Sequence, residues 1–226
     1  KYVIPFVVSF RRAGTVVPCN CYHSASSTCP GIPADMSLVI AFTGRDGAVM
    51  AGDLREILMH GPDAEICGFE QELYSGQIKT DTDIRKRAGE RGIVLRIRDD
   101  KCKVSDHEGI LIGEVAESEG AIVRRRRLYA VCGAYGIVDI EGDSCVLTQK
   151  GEGSTFVVLG NEVTKRIAHD MIRSEWKCGT FPDAVRLIIR IMNAAASCTA
   201  SVSNAFTILQ TRKKADLDMS EIMEMK

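Results

Sequence analysis

Between Ile93 and Leu159 the chain breaks into seven short apolar runs: Ile93 to Arg98, Cys102 to Ser105, Ile110 to Val115, Ala121 to Cys132, Ile137 to Ile140, Cys145 to Thr148 and Thr155 to Leu159. Gly, Asp and Glu-Gly turns part them, and runs of this length bounded by turn residues predict the strands of an antiparallel meander. The next stretch differs in kind. Glu162 to Trp176 and Pro182 to about Ser197 read as helices, and the second carries Val185, Leu187, Ile188, Ile189, Ile191 and Met192 around most of its circumference, which requires burial between layers. Val202 to Gln210 then reads as a returning strand. Strands, then helices, then a strand predict an α+β chain with helices laid on antiparallel sheet.

The same pattern extends upstream. Ser37 to Thr43 and Ala48 to Gly52 are apolar and flank Gly44-Arg45-Asp46-Gly47, which predicts a hairpin with both strands buried. Pro62 and Asp63 open a helical segment to about Ser75, and Thr80-Asp81 caps a second that stops at Gly92, so a helical insertion is expected at about 63–92. A chain of 226 residues, 45% of them hydrophobic, can bury the core of one domain. Its 29 Lys and Arg against 30 Asp and Glu leave no global field to draw in nucleic acid or an anionic membrane. No stretch reaches the ~18 uninterrupted apolar residues of a membrane helix, because Arg186 and Arg190 interrupt the apolar segment 184–200. Of nine cysteines only Cys19 and Cys21 are close, at C-x-C, and they lack the second CxxC-like or Cys/His pair that a structural zinc site shows. The expectation is a soluble, cytoplasmic chain with reduced thiols, no metal and no cofactor.

Residues 1–36 read as a leader apart from the rest. Residues 1–35 hold four of the six prolines and a single acid, Asp35, and they precede the first methionine, Met36. Three readings compete: sequence upstream of Met36 that is no part of the working protein, a propeptide later removed, and a secretory signal, which Pro5 and Arg11-Arg12 disfavour. At the other end, 212–226 reads as a charged tail or linker, leaving 37–211 as the domain.

The segment S-L-V-I-A-F-T-G-R-D-G-A-V-M-A-G-D-L-R, Ser37 to Arg55, resembles the start of a proteasome β subunit. The resemblance implies an N-terminal-nucleophile sandwich, α+β in class, with antiparallel sheets and packed helices. It further implies that the hydroxyl of the first mature residue is the nucleophile and that residue's own amine the base, with a buried acid sixteen residues on, the spacing that separates Ser37 from Asp53. Met36 before a small residue is the kind of initiator an aminopeptidase removes, which would make Ser37 the first residue. A neutral hydroxyl needs such a base to attack a carbonyl, and an α-amine suits the task near neutral pH. The family's buried lysine, paired with the acid, implies Lys101 or Lys103 here, with Lys101 slightly preferred, and its oxyanion donor implies the backbone N–H of Gly113. The family's loop carries an Asp and a Ser that brace the site; Ser197 to Ser203 has no acid, which leaves bracing to hydroxyls.

A narrower resemblance accounts for the insertion. M-S-L-V-I-A-F, G-A-V-M-A-G-D-L-R-E-I, E-L-Y-S-G-Q-I, K-V-S-D-H-E-G, R-R-L-Y-A and T-A-S-V-S-N-A-F, spread from Met36 onward, are similar to the proteasome-related connectases of methanogenic archaea. That resemblance implies a protein ligase. It would cut a protein at a motif containing Lys-Asp-Pro-Gly-Ala, keep the acyl half and pass it to another amine-bearing chain. The implied natural partner is the A-type subunit of the methanogens' tetrahydromethanopterin S-methyltransferase. Many family members begin with Thr, and the Ser37 hydroxyl does the same job. The alternatives are a proteasome-like endopeptidase and a catalytically silent scaffold. Arg124, Arg125, Arg126 and Arg127 are either a solvated strand or a surface for an acidic partner segment, and with the insertion they are the expected substrate-holding residues. A nucleic-acid role is not expected.

Overall fold

The computed structural model describes the backbone of residues 8–9, 38–119, 122–142 and 144–214. The leader readings for 1–36, the nucleophile position Ser37, and the tail beyond residue 214 therefore lie outside the described residues, two leader residues excepted. The chain order is β1 (Val8–Ser9), β2 (Leu38–Gly44), β3 (Gly47–Asp53), β4 (Glu56–His60), α1 (Asp63–Tyr74), α2 (Asp81–Glu90), β5 (Val94–Arg98), β6 (Val104–His107), β7 (Ile110–Glu119), β8 (Ile122–Val131), β9 (Ala134–Glu141), β10 (Ser144–Glu152), β11 (Thr155–Gly160), α3 (Glu162–Glu175), α4 (Phe181–Cys198) and β12 (Phe206–Thr211). The class is α+β, as the alternation of patterns predicted.

Two antiparallel sheets face each other. The first has the order β1-β12-β3-β2-β11 and the second β10-β9-β8-β7-β6. Strand alternation sorts the side chains of β2 and β3 between two cores. Val39, Ala41, Ala48 and Met50 face the second sheet and meet Leu111, Val115, Leu128 and Ala130. Leu38, Ile40, Phe42, Val49 and Ala51 face the other way, onto Leu187, Ile188, Ile191 and Met192 of α4. Both faces of this hairpin are covered, so its strands read as continuous apolar runs. The layers are thus helices, first sheet, second sheet, with a smaller apolar cluster around Tyr129 and Val138 on the far side of the second sheet.

Two of the seven runs leave the expected meander. Ile93 to Arg98 becomes β5 and pairs with β4, a strand for which the sequence offered no clear signal, to make a separate two-stranded sheet. Thr155 to Leu159 becomes β11 and closes the first sheet against β2. Two helices, α1 and α2, occupy the 63–92 stretch, and their apolar residues Ile66, Phe69, Leu73, Ile84 and Ala88 pack on Ile57 and Met59 of β4. Thr80 caps α2 by accepting the Asp83 N–H at 3.1 Å. Among the described residues no helix is long and apolar enough to cross a membrane, and no group of His, Cys, Asp and Glu side chains could hold a metal ion. Cys67, Cys102, Cys132, Cys145, Cys178 and Cys198 are free thiols.

Candidate functional site

Four strand ends of the first sheet converge at one edge. β2 begins at Leu38, β3 ends at Asp53, β11 ends at Gly160 and β12 begins at Phe206; Gly160 pairs with Leu38, and Phe206 with Asp53. Strands packed on both faces leave an end residue such as Asp53 in the interior, where a carboxylate needs partners. Asp53 is 0% exposed. Its carboxylate receives the ammonium of Lys103 on both oxygens, the second at 2.8 Å, and also accepts the backbone N–H of Leu38. The Lys103 ammonium spends a third donor on the carbonyl of Arg55 at 2.6 Å and is itself only 5% exposed. Burial pushes the Asp53 carboxyl above its ordinary range, while the Lys103 charge and the Leu38 and Arg55 backbone groups oppose that. The amide that touches the carboxylate is the one that joins Leu38 to residue 37. Asp53 and Lys103 therefore sit against Leu38, the first residue of β2.

Of the two lysines expected, the structure brings Lys103 to Asp53 and leaves Lys101 elsewhere. The Lys101 ammonium pairs with Glu56 at 2.8 Å and is 38% exposed. The approach of Lys103 depends on Gly52: a Cβ there would lie 2.9 Å from Val104 Cγ1 and 3.2 Å from Lys103 Cβ. A glycine inside a strand marks such a close approach, and that signal in the sequence identifies Gly52 as part of the site.

Gly113 does not end a strand. It lies within β7, paired with Val104 on one side and Leu128 on the other. The next amide, Glu114, donates to the Lys103 carbonyl at 2.9 Å, so alternation turns the Gly113 N–H toward β8. Its missing side chain serves packing, because a Cβ would come within 2.6 Å of Val39 Cγ1 and 2.7 Å of Met50 Sδ. The arginine run is largely engaged inside its own sheet. Arg126 makes a bidentate pair with Asp139 at 2.6 and 2.9 Å, Arg127 binds Glu114 and the Tyr129 hydroxyl, and Arg125 stands 3.9 Å from Glu114. Arg124 is placed only by its backbone pairing with Glu117.

The rim is braced by hydroxyls and one amide. Ser203 Oγ accepts the Leu54 N–H at 2.9 Å, immediately beyond Asp53, and donates to the Ala205 carbonyl. Asn161, the residue after β11, caps α3 by accepting the Thr164 N–H at 2.9 Å, and its Nδ2 donates to Ser201 Oγ, which in turn meets Thr199. Where an acid was missing from the Ser197 to Ser203 stretch, neutral groups thus satisfy each other. Asn161 had a readable signal as a helix N-cap, but its link to Ser201 across 40 positions had none. Arg55, 5% exposed, completes the rim: its guanidinium holds Asp81 and Asp99 by bidentate contacts and the Ala200 carbonyl at 2.7 Å.

A family model described as Connectase MJ0548-like, N-terminal domain, matches residues 36–225. The chain belongs to the connectase family. The match covers the hairpin, the insertion, both sheets and α3 to β12, so the candidate site lies wholly within it. Membership brings with it, at the level of the family, the activity of a protein ligase on a protein substrate. No curated protein matches the chain.

Proposed function

We propose that this connectase-family chain is an N-terminal-nucleophile protein ligase in which Ser37, freed as the first residue, forms an acyl-enzyme. The observation that supports this reading is the buried Lys103–Asp53 pair against the Leu38 amide, next to residue 37. In the proposed first half-reaction the Ser37 α-amine takes the hydroxyl proton as Oγ attacks the scissile carbonyl, and returns it to the departing amine. The C–N bond breaks and an ester on Oγ remains. The Lys103 charge lowers the cost of ionising the hydroxyl and disfavours protonation of the amine, so the base is neutral when needed. Asp53 holds Lys103 in place and keeps its burial tolerable.

In the second half-reaction an incoming chain's amine attacks the ester carbonyl, the ester C–O bond breaks, and Ser37 recovers its proton. A shift of the acyl group from Oγ to the adjacent α-amine would give an amide that water attacks poorly, preserving the acyl group until an acceptor arrives. The proposed donor carries a Lys-Asp-Pro-Gly-Ala motif, as the A-type subunit of the methanogens' methyltransferase is expected to do. The test mixes the Ser37-starting protein with such a donor and a second chain bearing the released Pro-type N-terminus. A fused product formed in preference to hydrolysis is expected. Hydrolysed fragments alone, with acceptor in large excess, would replace ligation by endopeptidase activity, and no acylation at all would leave the silent scaffold.

A further inference from the structure

The segment from the end of α1 to the first residue of α2, residues 75–81, is bound to the rim of the candidate site at three separate points. Gly76, at φ +76°, lies against the first turn of α3, where its Cβ would come 3.2 Å from Val163 Cγ1. Val163 stands two residues beyond Asn161. The Ile78 carbonyl accepts the Ala200 N–H at 3.2 Å, and Ile78 and Ala200 share one apolar cluster. At the far end of the segment, Asp81 at the start of α2 takes the Arg55 guanidinium at 2.6 Å, the same guanidinium that holds Ala200. Three strand-end loops of the site, after β3, after β11 and before β12, are therefore each joined to this one segment.

An insertion that merely extended the fold would turn its apolar face to the domain and its linker to solvent. Here the apolar face packs on β4 and the linker is docked as well. Its backbone is fixed by Gly76 and by buried Ile78, and the side chains on either side of Ile78, Gln77 and Lys79, are exposed. A fixed backbone carrying an amide and an ammonium at the rim of the candidate site is suited to hold an extended peptide by the peptide's carbonyl and N–H groups.

We infer that the α1–α2 linker is one wall of the acylation site and that Gln77 and Lys79 contact the acyl-donor peptide; this rests on the proposed function. Arg55 and Asp81 act as positioning residues for that wall. The experiment uses the full Ser37-starting protein, a donor peptide containing Lys-Asp-Pro-Gly-Ala, and an amine acceptor. Gln77→Ala combined with Lys79→Ala raises the donor KM roughly tenfold, leaves kcat within about twofold and leaves the acceptor KM unchanged. Asp81→Ala, which loosens the wall without touching the donor, raises the donor KM in the same direction, with an unchanged pH profile of kcat. Noncovalent binding of the labelled donor to the Ser37→Ala protein, read by fluorescence anisotropy, separates this inference from the chemistry. If that protein binds the donor and the Gln77/Lys79 pair of substitutions weakens the binding, the wall stands even if no acyl-enzyme ever forms. An unchanged donor KM and unchanged anisotropy binding in the double variant overturn it, as does a donor that does not bind the parent.

Discussion

Lys103→Met deletes one half of a charge pair whose other half has no route to water. Asp53 is 0% exposed, and after the substitution only the Leu38 and Arg55 backbone groups are left to stabilise its carboxylate. Removing one partner of a buried ion pair costs about 3–5 kcal/mol, because the remaining charge stays desolvated. Against a total of about 5–15 kcal/mol, this is a large share, and for a chain of this size it lowers the melting temperature by about 6–20 °C. The single tryptophan, Trp176, reports the transition, since its ring packs on Phe42 and Phe156 at centroid distances of 5.3 and 5.1 Å. Asp53→Asn added to Lys103→Met removes the stranded charge and recovers most of the loss, yet acyl-enzyme formation stays abolished in single and double variants alike. The single variant also carries a pH signature: a buried carboxyl whose folded pKa lies above the unfolded one contributes stability below the unfolded pKa and loses it as pH rises, so acidification from neutrality stabilises Lys103→Met. A single variant within about 1 kcal/mol of the parent, or a double variant no more stable than the single, would refute the stranded-charge argument.

Other substitutions probe the geometry separately. Gly52→Ala places a methyl group against Val104 and Lys103, so acyl-enzyme formation, followed by intact mass, slows on the order of tenfold or more as Lys103 is displaced. Gly113→Ala drives a Cβ into Val39 and Met50 between the sheets, and urea unfolding shows a loss of about 1–3 kcal/mol. Asp183 accepts the Thr180 N–H and hydroxyl at the start of α4, and these bonds hold its carboxyl below its ordinary range. That contribution is present above the unfolded pKa and lost as pH falls through the folded one, so Asp183→Asn makes the acid limb of the thermal-stability profile shallower.

The parts of this chain that can be read residue by residue are those whose causes are local. The hairpin from Leu38 to Asp53, the cap at Thr80 and the buried circumference of α4 follow from turn residues, a side-chain acceptor and helical periodicity, all within a few positions. Pairing partners are not local. The alternation of Ile93 to Arg98 says that it is a strand, but nothing in it names β4 as its partner, and Thr155 to Leu159 is equally silent about β2. The candidate site shows the same division. Asp53 was reachable through the family resemblance and its sixteen-residue offset from Ser37, but finding Lys103, not Lys101, at its carboxylate required knowing which side of the strand entering β6 faces the first sheet. Arg55 was visible in the sequence without a role, because its partners Asp81, Asp99 and Ala200 come from three distant segments. Ser201 and Ser203 carry no acid's charge to draw notice, though Ser203 fastens the strand end beside Asp53.

The run Arg124 to Arg127 has a consequence for how the second sheet assembles. Neighbouring residues of a strand face opposite ways, so Arg126 meets Asp139 across one face while Arg127 meets Glu114 across the other, each pair directly opposed in the ladder. Sliding β8 by a single residue would part both pairs at once, press a guanidinium toward the space filled by Leu128 and turn Leu128 outward where Tyr129 now lies. A run of like side chains, which in isolation looks free to slip along its neighbours, here carries in Arg126 and Arg127 a two-sided key to the alignment of three strands.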